Sequence, residues 1–98
     1  MDFLFLKESA RLQKVVLVEY PRKGIYSIGF VTNESSDRFR NKIGKKLYNV
    51  FIGSSPSPVT GFTIIVPEDE LIFLDISVEE ALKIIVSGGM INPDEETA

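Results

Sequence analysis

The sequence has no histidine and no cysteine. Without histidine it lacks the side chain that titrates nearest neutral pH, which is the commonest general base and the commonest metal ligand. Without cysteine it has no disulfide, no thiolate nucleophile and no cysteine-based zinc site. Catalysis would be left to carboxylates, lysine, tyrosine or unassisted hydroxyls. The chain is therefore read as non-enzymatic, with no cofactor and no metal. A basic excess is missing too: the net charge of -3 argues against a nucleic-acid partner. Long apolar runs are also absent. The N-terminal run Phe3-Leu4-Phe5-Leu6 is far short of the roughly 20 residues of a membrane span. It also lacks the charged n-region and cleavage site of a signal peptide.

What is present is ordinary for a globular protein. The 98 residues are 44% hydrophobic and 26% charged, enough for one domain with a single core. Residues 2–13 (DFLFLKESARLQ) read as a short helix or entry segment capped by Asp2, with Phe3, Leu6 and Ala10 on one face. The β-branched runs KVVLVEY (14–20) and IYSIGFVT (25–32) read as a hairpin. They are joined through Pro21-Arg22-Lys23-Gly24, with proline at the second position of a type I turn. Gly29, inside the second run, signals a bend or a close backbone approach. Residues 33–46 show no period and read as a long or mobile connection. LYNVFI (47–52), FTIIVP (62–67) and LIFL (71–74) supply further strands.

Ser77-Val78-Glu79-Glu80 matches a capping box, and Val78, Ala81, Leu82 and Ile85 then recur on one helical face. Gly88-Gly89 stops that helix. The expected fold is α+β: a mostly antiparallel five-stranded sheet, curled or closing toward a small barrel, with a C-terminal helix and a short N-terminal helix. The expected organisation is an entry over residues 1–13, one domain over 14–93 and a disordered acidic tail over 94–98.

Four features invite a functional reading, and each has a plain structural alternative. Arg38, Arg40, Lys42, Lys45 and Lys46, with Phe39 and Tyr48, suit an anionic lipid surface or another anion. They suit equally a solvated loop that keeps the protein soluble. Arg22 and Lys23 at the hairpin tip offer a partner or lipid contact, though hairpin tips are commonly charged. Glu68, Asp69, Glu70, Asp75, Glu79 and Glu80 hold six carboxylates without a basic residue between them. They lack calcium-loop spacing, and turn and helix-start roles account for most of them.

The stretch GSSPSPVTG (53–61) carries two minimal proline-directed phosphorylation sites, at Ser55 and Ser57. Its alternative is an ordered loop in which Ser55, Pro56, Ser57, Pro58, Thr60 and Gly61 set a shape by restricted dihedrals and hydroxyl-to-backbone bonds. Gly44-Lys45-Lys46 lacks the spacing of a phosphate-binding loop.

VVLVEYPRKGIYSIGFVT (15–32), the GSSPSPVTGF loop (53–62) and VPEDELIFLDISVEEALKIIVSGG (66–89), at their mutual spacing, resemble domain-of-unknown-function family 502. That family is a group of predicted membrane proteins that includes the plant continuous-vascular-ring-like proteins. The resemblance implies the soluble C-terminal domain of a longer membrane protein. It places two spans ahead of this region, beyond Met1, and the domain on the cytoplasmic side. It transfers no catalytic residue and no cofactor. Members usually carry a Thr-Thr-Pro-Asn-Pro-Thr-Ser-Gly-like run in the central loop. Here Ser57 stands for the asparagine, while Pro56, Pro58 and Gly61 keep their places.

The functional expectation is therefore oligomerisation or partner binding, with a homo-oligomer favoured and any other protein partner unidentified. The alternative is a small-ligand site at the 53–61 loop, where a hydroxyl would meet Asp75 or a glutamate, or an anionic-lipid site at the basic segment 38–46.

Overall fold

The β-branched run Lys14–Glu19 forms strand β1, and Tyr26–Glu34 forms strand β2. They pair antiparallel from Lys14 opposite Val31 to Glu19 opposite Tyr26. The computed structural model describes residues 14–92, so the expected N-terminal helix and acidic tail lie outside the described residues. The turn is displaced from its expected place. The Tyr20–Pro21 peptide is cis, and the Ile25 amide donates to the Arg22 carbonyl, so the bonded turn runs from Arg22 to Ile25 with Gly24 at φ 90°. The Glu19 carboxylate accepts from the Gly24 amide and helps close the loop.

β3 (Leu47–Gly53), β4 (Gly61–Pro67) and β5 (Ile72–Leu74) complete the sheet. The order is β4-β3-β2-β1-β5, with every neighbouring pair antiparallel. The sheet is open and does not close into a barrel: among the described residues, β4 and β5 each have one strand neighbour. Between Val31 and Asn33 the register with β3 shifts, leaving Thr32 as the extra residue of a bulge. β2 then runs on to Glu34, two residues past its expected end.

Residues 33–46 are not a featureless connection. They contain helix α1, Asp37–Ile43. Ser36 caps it by accepting from the Arg38 amide, and Gly44 ends it at φ 85° while its amide donates to the Arg40 carbonyl. Both signals are readable in the sequence, but with Phe39 and Ile43 as the apolar residues of one stripe the period is too short to register. Helix α2, Val78–Val86, starts at the expected capping box: the Ser77 hydroxyl accepts from the Glu80 amide, and the Glu80 carboxylate accepts from the Ser77 amide.

The sheet is apolar on both faces. On one, Val15 and Phe30 pack with Ala81 and Ile85 of α2, joined by Ile28, Phe51, Leu74 and Leu82. On the other, Val16, Val18, Val31, Val50, Ile52, Val66 and Leu71 form a second cluster, bordered by Tyr20, Tyr48 and Ile64. Phe30, Val16 and Val50 are wholly buried, each side chain stabilising the fold by about 1.5–3 kcal/mol relative to exposure. Gly29 makes the second cluster possible. A Cβ there would lie 2.5 Å from Val50 Cγ1, so the close approach expected of this residue is real.

Candidate functional site

The antiparallel order sorts the candidate residues to the two ends of the strands. The tip residues Arg22 and Lys23 precede β2, while Arg38 and Arg40 follow it on α1. The nine residues of β2 separate them by roughly 30 Å at the usual strand rise. A single cationic surface combining the hairpin tip with the basic segment is therefore not formed.

At the tip end, the 53–61 loop stands between β3 and β4 and beside the C-terminus of α2. The Ser54 hydroxyl donates to the carbonyls of Ser57 and Thr60, 3.1 and 3.0 Å away, and lies 2.7 Å from the Thr60 hydroxyl. The Thr60 hydroxyl and amide both donate to the Ser57 carbonyl. Ser55 has a different task. Its hydroxyl donates to the Ile85 carbonyl at 2.7 Å, supplying one of the partners that a helix C-terminus leaves open. The Ser55–Pro56 peptide is cis. Gly61 lies opposite Gly53, and a Cβ on Gly61 would run into the Ile52 carbonyl oxygen.

The recess beside this loop, about 310 Å³, is lined by Tyr26, Ile28, Ser55, Ile84, Ile85 and Gly88 among others, none of them acidic. Asp75 and the glutamates do not meet the loop hydroxyls there, so the hydroxyl-carboxylate pair of a hydrolytic or polar-ligand reading is not assembled in that recess.

The other end carries the charge. Arg40 faces Glu34 at 3.7 Å and Asp37 at 3.5 Å. Lys46 lies 3.9 Å from Glu68 and 5.7 Å from the centroid of the Tyr48 ring, while the Tyr48 hydroxyl donates to the same Glu68 carboxylate. The Tyr48 side chain first, then the charge of Glu68, hold the Lys46 ammonium above its ordinary value. The fold thus favours the charged lysine. That contribution is whole below the ordinary lysine range and fades as pH rises through the elevated value. Lys45 shares a shallow recess with Lys46, Glu68 and Asp69. Two of the five basic residues are thus paired with carboxylates, which suits the reading of a partly charge-balanced, solvated segment.

Arg38 and Lys42 differ. Four residues apart, they share one flank of α1. Lys42 also borders a groove of about 380 Å³ with Phe39, Ile43, Leu47, Ile65 and Pro67. Of the groove's apolar residues the sequence singles out only Phe39, and not Ile43, Leu47, Ile65 or Pro67. The signal was the i, i+4 pair Phe39 and Ile43 beside cations, obscured because the segment did not read as a helix. A further recess of about 480 Å³ lies among Lys14, Thr32, Asn33, Tyr48, Glu68 and Phe73, with the Lys14 ammonium 5.6 Å from the Phe73 ring centroid. Among the described residues no three acidic side chains gather as metal ligands, and no helix is long and apolar enough to cross a membrane.

Among curated proteins and among solved structures, none matches the chain. A family model described as DUF502, protein of unknown function, matches residues 1–60. The match takes in the β1–β2 hairpin, α1, β3 and nearly all of the 53–61 loop. The resembling stretch 66–89 lies beyond it. With more than half of the chain covered by this match, the chain belongs to the DUF502 family.

Proposed function

We propose that this domain is a non-catalytic association module of a membrane protein, and that it pairs with another chain, first a copy of itself, through the outer edge of β4. The observation that supports this reading is the character of that edge. Gly61–Pro67 is seven residues long, has β3 as its one strand neighbour among the described residues, and contains no charged residue. Phe62 is 59% exposed and Ile65 44% exposed. Natural edge strands are usually guarded by lysine, by shortness or by a covering element. β5 has the guard of shortness, with three residues. β4 has neither charge nor shortness, so its backbone donors and acceptors and its apolar side chains suit strand addition by a like strand. The family resemblance supports a place in a longer membrane protein with this domain on the cytoplasmic side. The spans would lie outside the described residues.

Light scattering across a wide concentration range tests the association. The expected result is a dimer or larger mass that falls to the monomer in Phe62→Lys, which puts a guard charge on the edge at an already exposed position. A wild-type chain that is monomeric at every concentration overturns the reading. Placement is tested in the full-length protein by whether protease reaches this domain only from the cytoplasmic side.

A further inference from the structure

α1 carries its apolar stripe on the outside of the molecule. Phe39 and Ile43 lean toward Leu47, which is buried to 3% exposure, yet they remain 46% and 61% exposed themselves. Ile65 of β4 stands across the groove, 44% exposed. Three large apolar side chains thus project together where a soluble surface would be polar. Beside them run Arg38 and Lys42. Among the described residues the ion pairs of this region engage Arg40 and Lys46, and neither Arg38 nor Lys42 takes part in them. Asp37 and Glu34 are engaged by Arg40, and Glu68 by Lys46. In a chain of net charge -3, the exposed flank of α1 is thus locally cationic without compensation.

A projecting apolar strip bordered by uncompensated cations calls for an anionic partner that accepts apolar side chains without a shaped pocket. A bilayer boundary meets both demands. Phenylalanine and isoleucine enter the headgroup–acyl boundary, while arginine and lysine keep their stems on the apolar layer and their heads at the lipid phosphates and carboxylates. We propose that α1 and the neighbouring part of β4 form a docking surface for an anionic lipid bilayer. Phe39, Ile43 and Ile65 are the inserting side chains, and Arg38 and Lys42 the headgroup contacts. The surface shares Ile65 with β4 but not Phe62, which lies three positions away on the opposite face of the strand, so Phe62→Lys tests the dimer without altering the docking surface.

Co-sedimentation with vesicles tests it. The chain is expected to pellet with phosphatidylserine–phosphatidylcholine vesicles and to stay in solution with phosphatidylcholine alone, with added salt releasing it. At roughly fivefold in affinity per basic residue, Arg38→Ala with Lys42→Ala lowers binding about 25-fold. Ile43→Ser weakens binding with an unchanged melting temperature, because the site is exposed in the fold. Lys23→Glu, at the far end of the sheet, leaves binding intact. The proposal is overturned if the two vesicle types bind equally, if neither binds, or if Arg38→Glu with Lys42→Glu binds as the wild type does. It is overturned as well if vesicle binding is absent and Ile43→Ser lowers the mass seen by light scattering, since the groove is then a contact between copies of the chain.

Discussion

α1 and α2 both begin at a serine N-cap with an extended backbone, and both carry acidic residues in the first turn. α2 buries Ala81 and Ile85 against the sheet, whereas α1 buries none of its seven residues. The same capping chemistry therefore serves two ends. In α2 it orients an apolar face that closes a core. In α1 it holds a single turn or two in place while the apolar residues stay half in solvent. Short helices gain most of their stability from packing rather than from propensity. A helix that packs so little is retained at a stability disadvantage, which fits a surface with work to do outside the fold.

The largest test of this contrast is a pair of isoleucines. Ile85→Ala is expected to cost about 2–4 kcal/mol in denaturant unfolding, since it empties part of the core under α2. Ile43→Ala on α1 should stay within about 0.5 kcal/mol, as exposed substitutions usually do. Equal losses would break the comparison and show that α1 is as much a part of the core as α2.

The caps sharpen it further. Ser77→Ala removes half of a capping box on a packed helix and should cost about 1 kcal/mol of global stability. Ser36→Ala removes an equivalent bond, but its loss should appear as faster amide exchange in α1 with the unfolding midpoint nearly unchanged, because α1 can open by itself. A matched midpoint drop for both would mean that α1 opens only with the whole domain.

The smallest expected effect lies just before α1. Ser35 is 7% exposed, and its hydroxyl has no hydrogen-bond partner among the described groups. Ser35→Ala removes the desolvation of that hydroxyl and should be neutral or stabilising by up to about 1 kcal/mol, read as a raised melting temperature. A clear destabilisation would show that the hydroxyl does have a partner, and that the N-terminal side of α1 is held more firmly than its exposure suggests.

The sequence was legible where local signals were dense. The capping box Ser77–Glu80 placed the start of α2 to the residue. The β-branched run around Val15–Val18 placed β1, and the apolar run LYNVFI placed β3. It was illegible where a motif was brief, as in α1, whose cap Ser36 and stop Gly44 enclose one apolar pair. The turn near Pro21 shifted by two positions because the Tyr20–Ile25 closure and the Glu19 carboxylate, both set by the strand register, select which residues make it. The groove by α1 was legible in part. Its cations were visible as a run, but Ile65, twenty-two positions after Ile43 in the chain, joins them only because β4 pairs with β3.

Composition alone determined that no histidine or cysteine chemistry operates here, and β-branched runs with one strong helix start determined an α+β chain. Those properties depend on which side chains are present and on neighbours within a few positions. Which strands sit at the edges, which cations meet carboxylates and which stand alone, and where Ser55 finds its partner at Ile85, were decided by tertiary structure. Most of these depend on distant residues being brought within a few ångströms, from Lys46 and Glu68, 22 positions apart, through Ser55 and Ile85, 30 apart, to Val15 and Leu74, 59 apart, and only the packed sheet with its register settles those distances.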